Sequence, residues 1–160
     1  MSRARAMLAA LALAASPGLA AAQEACRADR AELRGPWGSA AFRVEVADDA
    51  AERAQGLMNV PSMPEDAGML FAYEAPQTVA FWMENTLIPL DMIFVGPDGT
   101  VTRVHENAVP LDRTPIPGGG GVQYVLEING GLAARLGIGP GDEMRHPAIA
   151  SGSPAPAWPC

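Results

Sequence analysis

Lysine is absent from this chain of 160 residues, and its 11 basic residues are all arginine, set against 18 acids. The net charge of −7 and the lack of any basic run argue against nucleic acid or anionic lipid as a partner. Cysteine is scarce: Cys26 and Cys160 are the two, with no C-x-x-C, so a thiol redox motif is missing. Histidine is equally scarce, with His105 and His146 far apart, and no His/Cys cluster has zinc-ligand spacing. No serine sits in a nucleophile motif, and the Gly118–Gly121 run lacks the Gly-Lys-Ser/Thr ending of a phosphate loop. The longest apolar run near the start, Met7–Ala15, is too short to span a bilayer.

What is present at the N-terminus has the grammar of an export signal. Arg3 and Arg5 precede the Met7–Ala15 run, Ser16-Pro17-Gly18 breaks it, and Ala20-Ala21-Ala22 offers small residues for cleavage. Residues 1–22 are read as a secretory signal peptide, which predicts a periplasmic or secreted product with no membrane insertion after cleavage. Loss of Arg3 and Arg5 leaves nine arginines against 18 acids, a net charge of −9. In an oxidising compartment, Cys26 and Cys160 are expected to pair and close nearly the whole mature chain.

The rest reads as one mainly β domain over residues 23–146, followed by a Pro-rich tail over 147–160 that ends in the disulfide cysteine. Phe42, Val44 and Val46 alternate with Arg43 and Glu45, the period of a half-buried strand. Short apolar runs at 31–35, 68–73, 78–83, 90–95, 100–106 and 123–128 are bounded by Gly, Pro, Asn and Asp. Gly96-Pro97-Asp98-Gly99 signals a hairpin. Two short helices are expected, one after Asp48 and one after Gly130. Residues 107–122 read as a long irregular loop, a candidate lid. This pattern predicts a β-sandwich or distorted barrel with two short helices.

The central stretch is Phe81–Val95, FWMENTLIPLDMIFV. It places Asn85, Thr86 and Asp91 among apolar residues, and Glu127 lies likewise between Leu126 and Ile128. A polar side chain buried without a partner costs roughly 1–3 kcal/mol, so each must organise a turn or line a site. Trp82 alternates away from Phe81 and Met83 and so points to the other face. Trp82, Asn85, Thr86, Asp91 and Glu127 are therefore the candidate ligand-binding residues. Asp91 and Glu127 could alternatively act as a general acid/base pair if they faced each other. The plain alternative has them accepting backbone N–H bonds or pairing with Arg43, Arg53 or Arg103. Met58, Met63, Met69, Met83, Met92 and Met144, with the two histidines, leave copper(I) as an option, although no tight Met-x-Met spacing occurs and Met commonly fills cores. No other cofactor is expected.

Four ordered motifs carry a family resemblance: FRVEVADDAAERAQGLM (Phe42–Met58), GMLF (Gly68–Phe71), FWMENTLIPLDMIFV, and YVLEINGGLAARLGIGPGDEM (Tyr124–Met144). Over about residues 40 to 146 the chain resembles the domain of unknown function 192 family. The resemblance implies a single β-sandwich-like domain with short helices and no established activity. It also implies a basic residue where this chain has Glu84, and an arginine where it has Asn59-Val60-Pro61, so an anion-binding role does not carry over. The expected function is an exported, non-catalytic module binding a small molecule or an envelope protein. The competing classes are a hydrolase-type enzyme using Asp91 and Glu127 on an envelope sugar or peptide, and a structural or interaction domain.

Overall fold

The computed structural model describes residues 25–150 and 153–160, so the expected signal peptide lies outside the described residues. Seven strands run in chain order as β1 Arg30–Gly35, β2 Gly38–Ala47, β3 Ala67–Phe81, β4 Leu90–Val95, β5 Val101–Ala108, β6 Ile116–Asn129 and β7 Glu143–Arg145. They form one mixed sheet in the order β5-β4-β6-β3-β2-β1-β7, curled into a half-barrel. The expected mainly β architecture is present in its barrel-like form. Among the described residues three short helices accompany it rather than two: α1 Ala50–Gln55, α2 Leu132–Leu136 and α3 Pro147–Ala150.

The β2–β3 pair is parallel, and α1 supplies its crossover. Asp49, not Asp48, caps α1: its carboxylate accepts the Glu52 N–H at 2.8 Å, while Glu52 reaches back to the Asp48 N–H at 3.2 Å. All other pairings are antiparallel. The two edges approach each other at one end, where the Val101 N–H donates to the Asp142 carbonyl at 2.7 Å and the Met144 N–H to the Gly99 carbonyl at 2.8 Å.

All seven strands contribute to the core inside the curl. It contains Leu33, Phe42, Val44, Leu70, Ile93, Val95, Val101, Leu126, Ile128 and Met144, and α2 and α3 close it with Leu132, Ala133 and Ile149. Packing therefore continues past residue 146. The opposite face of the central strands carries a second core built on Phe71, Val79, Met83, Met92, Phe94 and Val125.

An arm made by the far halves of β3 and β6 folds onto that second core. β3 runs unbroken through Glu74-Ala75-Pro76, although its pairing with β6 shifts register between Ala72 and Ala80. The glycine run belongs to this arm, so the irregular connection is confined to residues 109–115 and no 16-residue lid exists. Close approach explains the glycines. A Cβ at Gly118 would lie 2.4 Å from the Phe94 ring, and Gly119 and Gly121 hold φ values of 91° and 72°.

Asp91 is buried at 0 % exposure on the side of the barrel interior, and three backbone amides satisfy it. Asn107 donates to Oδ1 at 2.7 Å, Gly131 to Oδ1 at 2.8 Å and Ala133 to Oδ2 at 2.7 Å. Asn107 and Gly131 hold left-handed backbone, at φ 56° and 78°, which aims their N–H groups at the carboxylate. One side chain thus ties β4 to the end of β5 and to the start of α2. The plain reading of Asp91 is the one the geometry supports.

Cys26 and Cys160 form the expected disulfide, with Cα atoms 5.2 Å apart and a sequence separation of 134. The tail leading to Cys160 is packed: the Trp158 ring lies 4.5 Å from the Arg34 guanidinium and 4.4 Å from that of Arg145.

Two stability outcomes are expected. Asp91→Asn should lower the unfolding free energy by about 2–4 kcal/mol, because an amide can accept at only one of its two ends. Urea midpoints measure this, and an unchanged midpoint would remove Asp91 from its structural role. Replacing both cysteines with serine should cost about 4–5 kcal/mol in the loop-entropy model. The check is a lowered midpoint that matches wild type under reducing conditions.

Candidate functional site

Register decides how the carboxyl groups of Asp91 and Glu127 relate. Asp91 stands opposite Ile128, and Glu127 stands opposite Met92 and Met69 on its two neighbouring strands. Residues in register share a face, and adjacent residues along a strand do not. Asp91 therefore faces the barrel interior and Glu127 the second core. The acid/base pair on one cleft does not form, and the hydrolase-type reading built on it is withdrawn.

Glu127 is 4 % exposed and has no hydrogen-bond or ion-pair partner among the described residues. No fully enclosed side-chain polar atom among those residues lacks a partner, so the Glu127 carboxyl meets open space. That space is a cavity of about 220 Å³ in the crease between the arm and α1. Arg53 and Gly56 come from α1 and its cap, Phe71, Tyr73 and Phe81 from β3, Trp82, Glu84 and Thr86 from the segment after it, and Glu127 from β6. Phe81 packs edge-on against Phe71, with ring centroids 5.0 Å apart. Trp82 is 50 % exposed beside it, so it is the tryptophan rather than Phe81 and Met83 that turns outward.

Burial pushes the Glu127 carboxyl up to about 8, since flanking methionines offer no donor to its charge. Burial also raises the Tyr73 phenol, with the Arg53 guanidinium opposing and the Glu127 charge adding. Arg53 is held in place: its Nη1 donates to the Asp48 carbonyl at 2.5 Å and the Ala72 carbonyl at 2.9 Å, and its guanidinium lies 5.1 Å from the Tyr73 ring centre. Glu84 pairs with the exposed Arg113.

Of the five residues singled out from the sequence, Trp82, Thr86 and Glu127 line this cavity, whereas Asn85 and Asp91 do not. Asn85 is the left-handed corner of a turn (φ 53°), closed by the Thr86 N–H on the Met83 carbonyl at 3.1 Å. Sequence reasoning missed Arg53, Tyr73 and Glu84 as wall residues. Arg53 and Tyr73 look like ordinary helix and strand positions, and only the folded arm brings them beside Glu127. The exposed large hydrophobics Trp82, Leu87, Val109 and Leu111 gather at the same end, on segments joined by the Leu111 N–H to the Thr86 carbonyl at 3.1 Å.

A second cavity of about 470 Å³ lies on the other side of Gln55, Gly56 and Met58, which line both. Met58, Met63 and Met69 line it. The histidines stand apart from these methionines: His105 pairs in register with Met92, and His146 bonds the Ala28 carbonyl at 2.9 Å and the Ala148 N–H at 3.1 Å. No group of three His, Cys, Asp or Glu is placed to hold a metal among the described residues.

Comparison with known proteins places the fold in a family. The model of the domain of unknown function 192 family, described as "Uncharacterized ACR", matches residues 33–146, and the chain belongs to that family. A crystal structure of a protein of unknown function from Novosphingobium aromaticivorans is 49 % identical, with a TM-score of 0.71, covering 72 % of this chain and 83 % of that one. A crystal structure described as a putative transcription regulator from Sinorhizobium meliloti is 40 % identical, with a TM-score of 0.72, covering 79 % and 98 %. No match was found among curated proteins.

The raised Glu127 pKa has a signed consequence. Between the ordinary carboxyl value and about 8, the folded chain keeps a proton that the unfolded chain has lost. Stability from this group is full below the ordinary value and falls as pH rises toward 8, by up to about 1.4 kcal/mol per pH unit. Glu127→Gln should remove that slope, so its urea midpoint should exceed wild type by a margin that widens from pH 5 to pH 8. A constant margin would show that Glu127 is ionised throughout.

Proposed function

We propose that this domain is an exported, non-catalytic binding module of the cell envelope. Its ligand is a small molecule held in the cavity above Glu127. One observation carries the reading: a carboxyl at 4 % exposure, without a partner among the described residues, opens into a walled space instead of being capped. Natural cores satisfy such groups with protein donors, as Asp91 is satisfied here. A carboxyl kept unsatisfied at the floor of an aromatic-walled pocket is poised for a group supplied from outside.

Export is supported by the N-terminal basic and apolar segments together with the Cys26–Cys160 disulfide. Catalysis has less support: among the described residues no side chain bonds to the Glu127 carboxyl, burial weakens the Tyr73 phenol as an acid, Glu84 is engaged by Arg113, and the Thr86 hydroxyl donates to the Glu84 carbonyl at 3.3 Å. Nucleic-acid binding, suggested for one relative by its description, finds no lysine and no excess of arginine on this chain.

A fragment collection screened by backbone amide shifts tests the reading. Hits should move Gln55, Gly56, Trp82, Thr86 and Glu127 together, should lose affinity in Trp82→Ala, and should be recovered chemically unchanged. Hits confined to other surfaces would overturn the site, and a chemically altered hit would overturn the non-catalytic assignment.

A further inference from the structure

The binding reading leaves the chemistry of the ligand open, and the walls of the cavity narrow it. We infer that the ligand is a small primary amine, bound as its ammonium ion, with the Glu127 carboxylate accepting its N–H groups among the rings of Phe71, Phe81 and Trp82. This rests on the cavity above Glu127 being the binding site.

Charge comes first. The floor supplies an unpartnered carboxyl, and burial opposes ionisation of the Tyr73 phenol in the same wall. The other charged wall groups are engaged: Glu84 pairs with Arg113, and the Arg53 Nη1 donates to two carbonyls while its guanidinium lies over Tyr73. An anionic ligand would therefore meet a buried carboxyl and only the remaining edge of Arg53. A cationic ligand would meet the buried carboxyl, aromatic walls and a chain with 18 acids against 11 arginines, whose field draws cations inward.

The donor requirement comes next. A carboxylate flanked by Met69 and Met92 receives no hydrogen bond from those strands' side chains. Only a ligand with N–H or O–H groups can supply them, which disfavours a quaternary ammonium. A neutral alcohol could donate one bond but would leave a charge covered and uncompensated, or require the carboxyl to stay protonated. A primary ammonium donates up to three bonds and cancels the charge. The modest volume of about 220 Å³ suits a compact head group. The groups bearing on Glu127's ionisation are Tyr73 from β3, Arg53 from α1 and Glu84 after β3, with Met92 of β4 and Met69 of β3 contributing no charge.

Four probes separate the outcomes: n-butylamine, n-butanol, butyrate and tetramethylammonium, each titrated into the full disulfide-bonded domain, and binding of tetramethylammonium equal to that of the amine would overturn the N–H requirement. Trp82 fluorescence and calorimetry are the readouts. Butylammonium should bind saturably, and Glu127→Gln should weaken it at least about thirtyfold while leaving the fold intact. Affinity for the amine should rise about tenfold per pH unit up to pH 8, because Glu127 must ionise to bind it. Binding should be accompanied by proton release to the buffer, read as a dependence of the heat on buffer ionisation enthalpy. Equal binding of butanol, preference for butyrate, or an amine affinity that Glu127→Gln leaves unchanged would overturn the ammonium assignment and leave the cavity reading standing. A cavity that takes none of the four at millimolar concentration, with no Trp82 response, would overturn both.

Discussion

Three amide hydrogens converge on the Asp91 carboxylate, and much of the molecule takes its position from that junction. The carboxylate is fully buried, a condition that costs several kcal/mol unless donors surround it. Its donors come from two places far apart in sequence: Asn107 at the end of β5, and Gly131 and Ala133 at the start of α2. Fixing them fixes where β5 ends, where β6 turns into α2, and how α2 closes the barrel interior. β6 is also the strand that carries Glu127, four residues before Gly131. The rigid capping of one acid therefore sets the height at which the other acid meets its cavity. Two carboxylates on adjacent strands, turned to opposite faces by the pleat, have opposite environments.

The second constraint is steric. The crease that holds the cavity exists because the far halves of β3 and β6 fold back over Phe94. That fold requires no side chain at Gly118, and it uses left-handed backbone at Gly119 and Gly121. The shifts in β3–β6 register between Ala72 and Ala80 are the bends this demands. A glycine run that looks like a flexible connection in sequence is, in the fold, what allows two strands to pack at close range. The aromatic wall of the cavity, Phe81 and Trp82, is delivered by the same bend.

These two constraints explain what could be read from the residues alone. Strand alternation at Phe42–Val46, the turn at Gly96–Gly99 and the pairing of Cys26 with Cys160 follow from simple sequence rules, and each appears in the fold; alternation separates Trp82 from Phe81 and Met83, but only the fold shows that Trp82 is the exposed one. Glu127 stood out because an acid between Leu126 and Ile128 breaks an apolar strand. The same rule selected Asp91 and could not tell the two apart, since the difference lies in register across β4 and β6. Asn85 was selected for polarity, but its position reflects the left-handed turn it makes. The glycine run reads as loop in sequence and is strand in the fold, because glycine weakens strand signals even where close packing demands it. Tyr73 carries no local pattern and Arg53 stands out only as one of three possible ion-pair partners, because wall residues are brought together by the fold rather than by sequence.

Why a fold would retain the Glu127 carboxyl is the remaining question, and energetics bear on it directly. Held near a pKa of about 8, the group disfavours the folded state wherever the unfolded chain would ionise, and glutamine or methionine of similar size would avoid that cost. A purely structural strand gains nothing from such a residue: Met69 and Met92 beside it already provide the packing. The contrast with Asp91 is instructive, since there the same chemistry is turned to stability by three amides within 2.8 Å. Stability withheld at one buried acid and secured at its neighbour is the pattern expected of a binding site supported by a rigid scaffold. Among the described residues no donor reaches the Glu127 carboxyl, while the amides around Asp91 hold the strand that carries it.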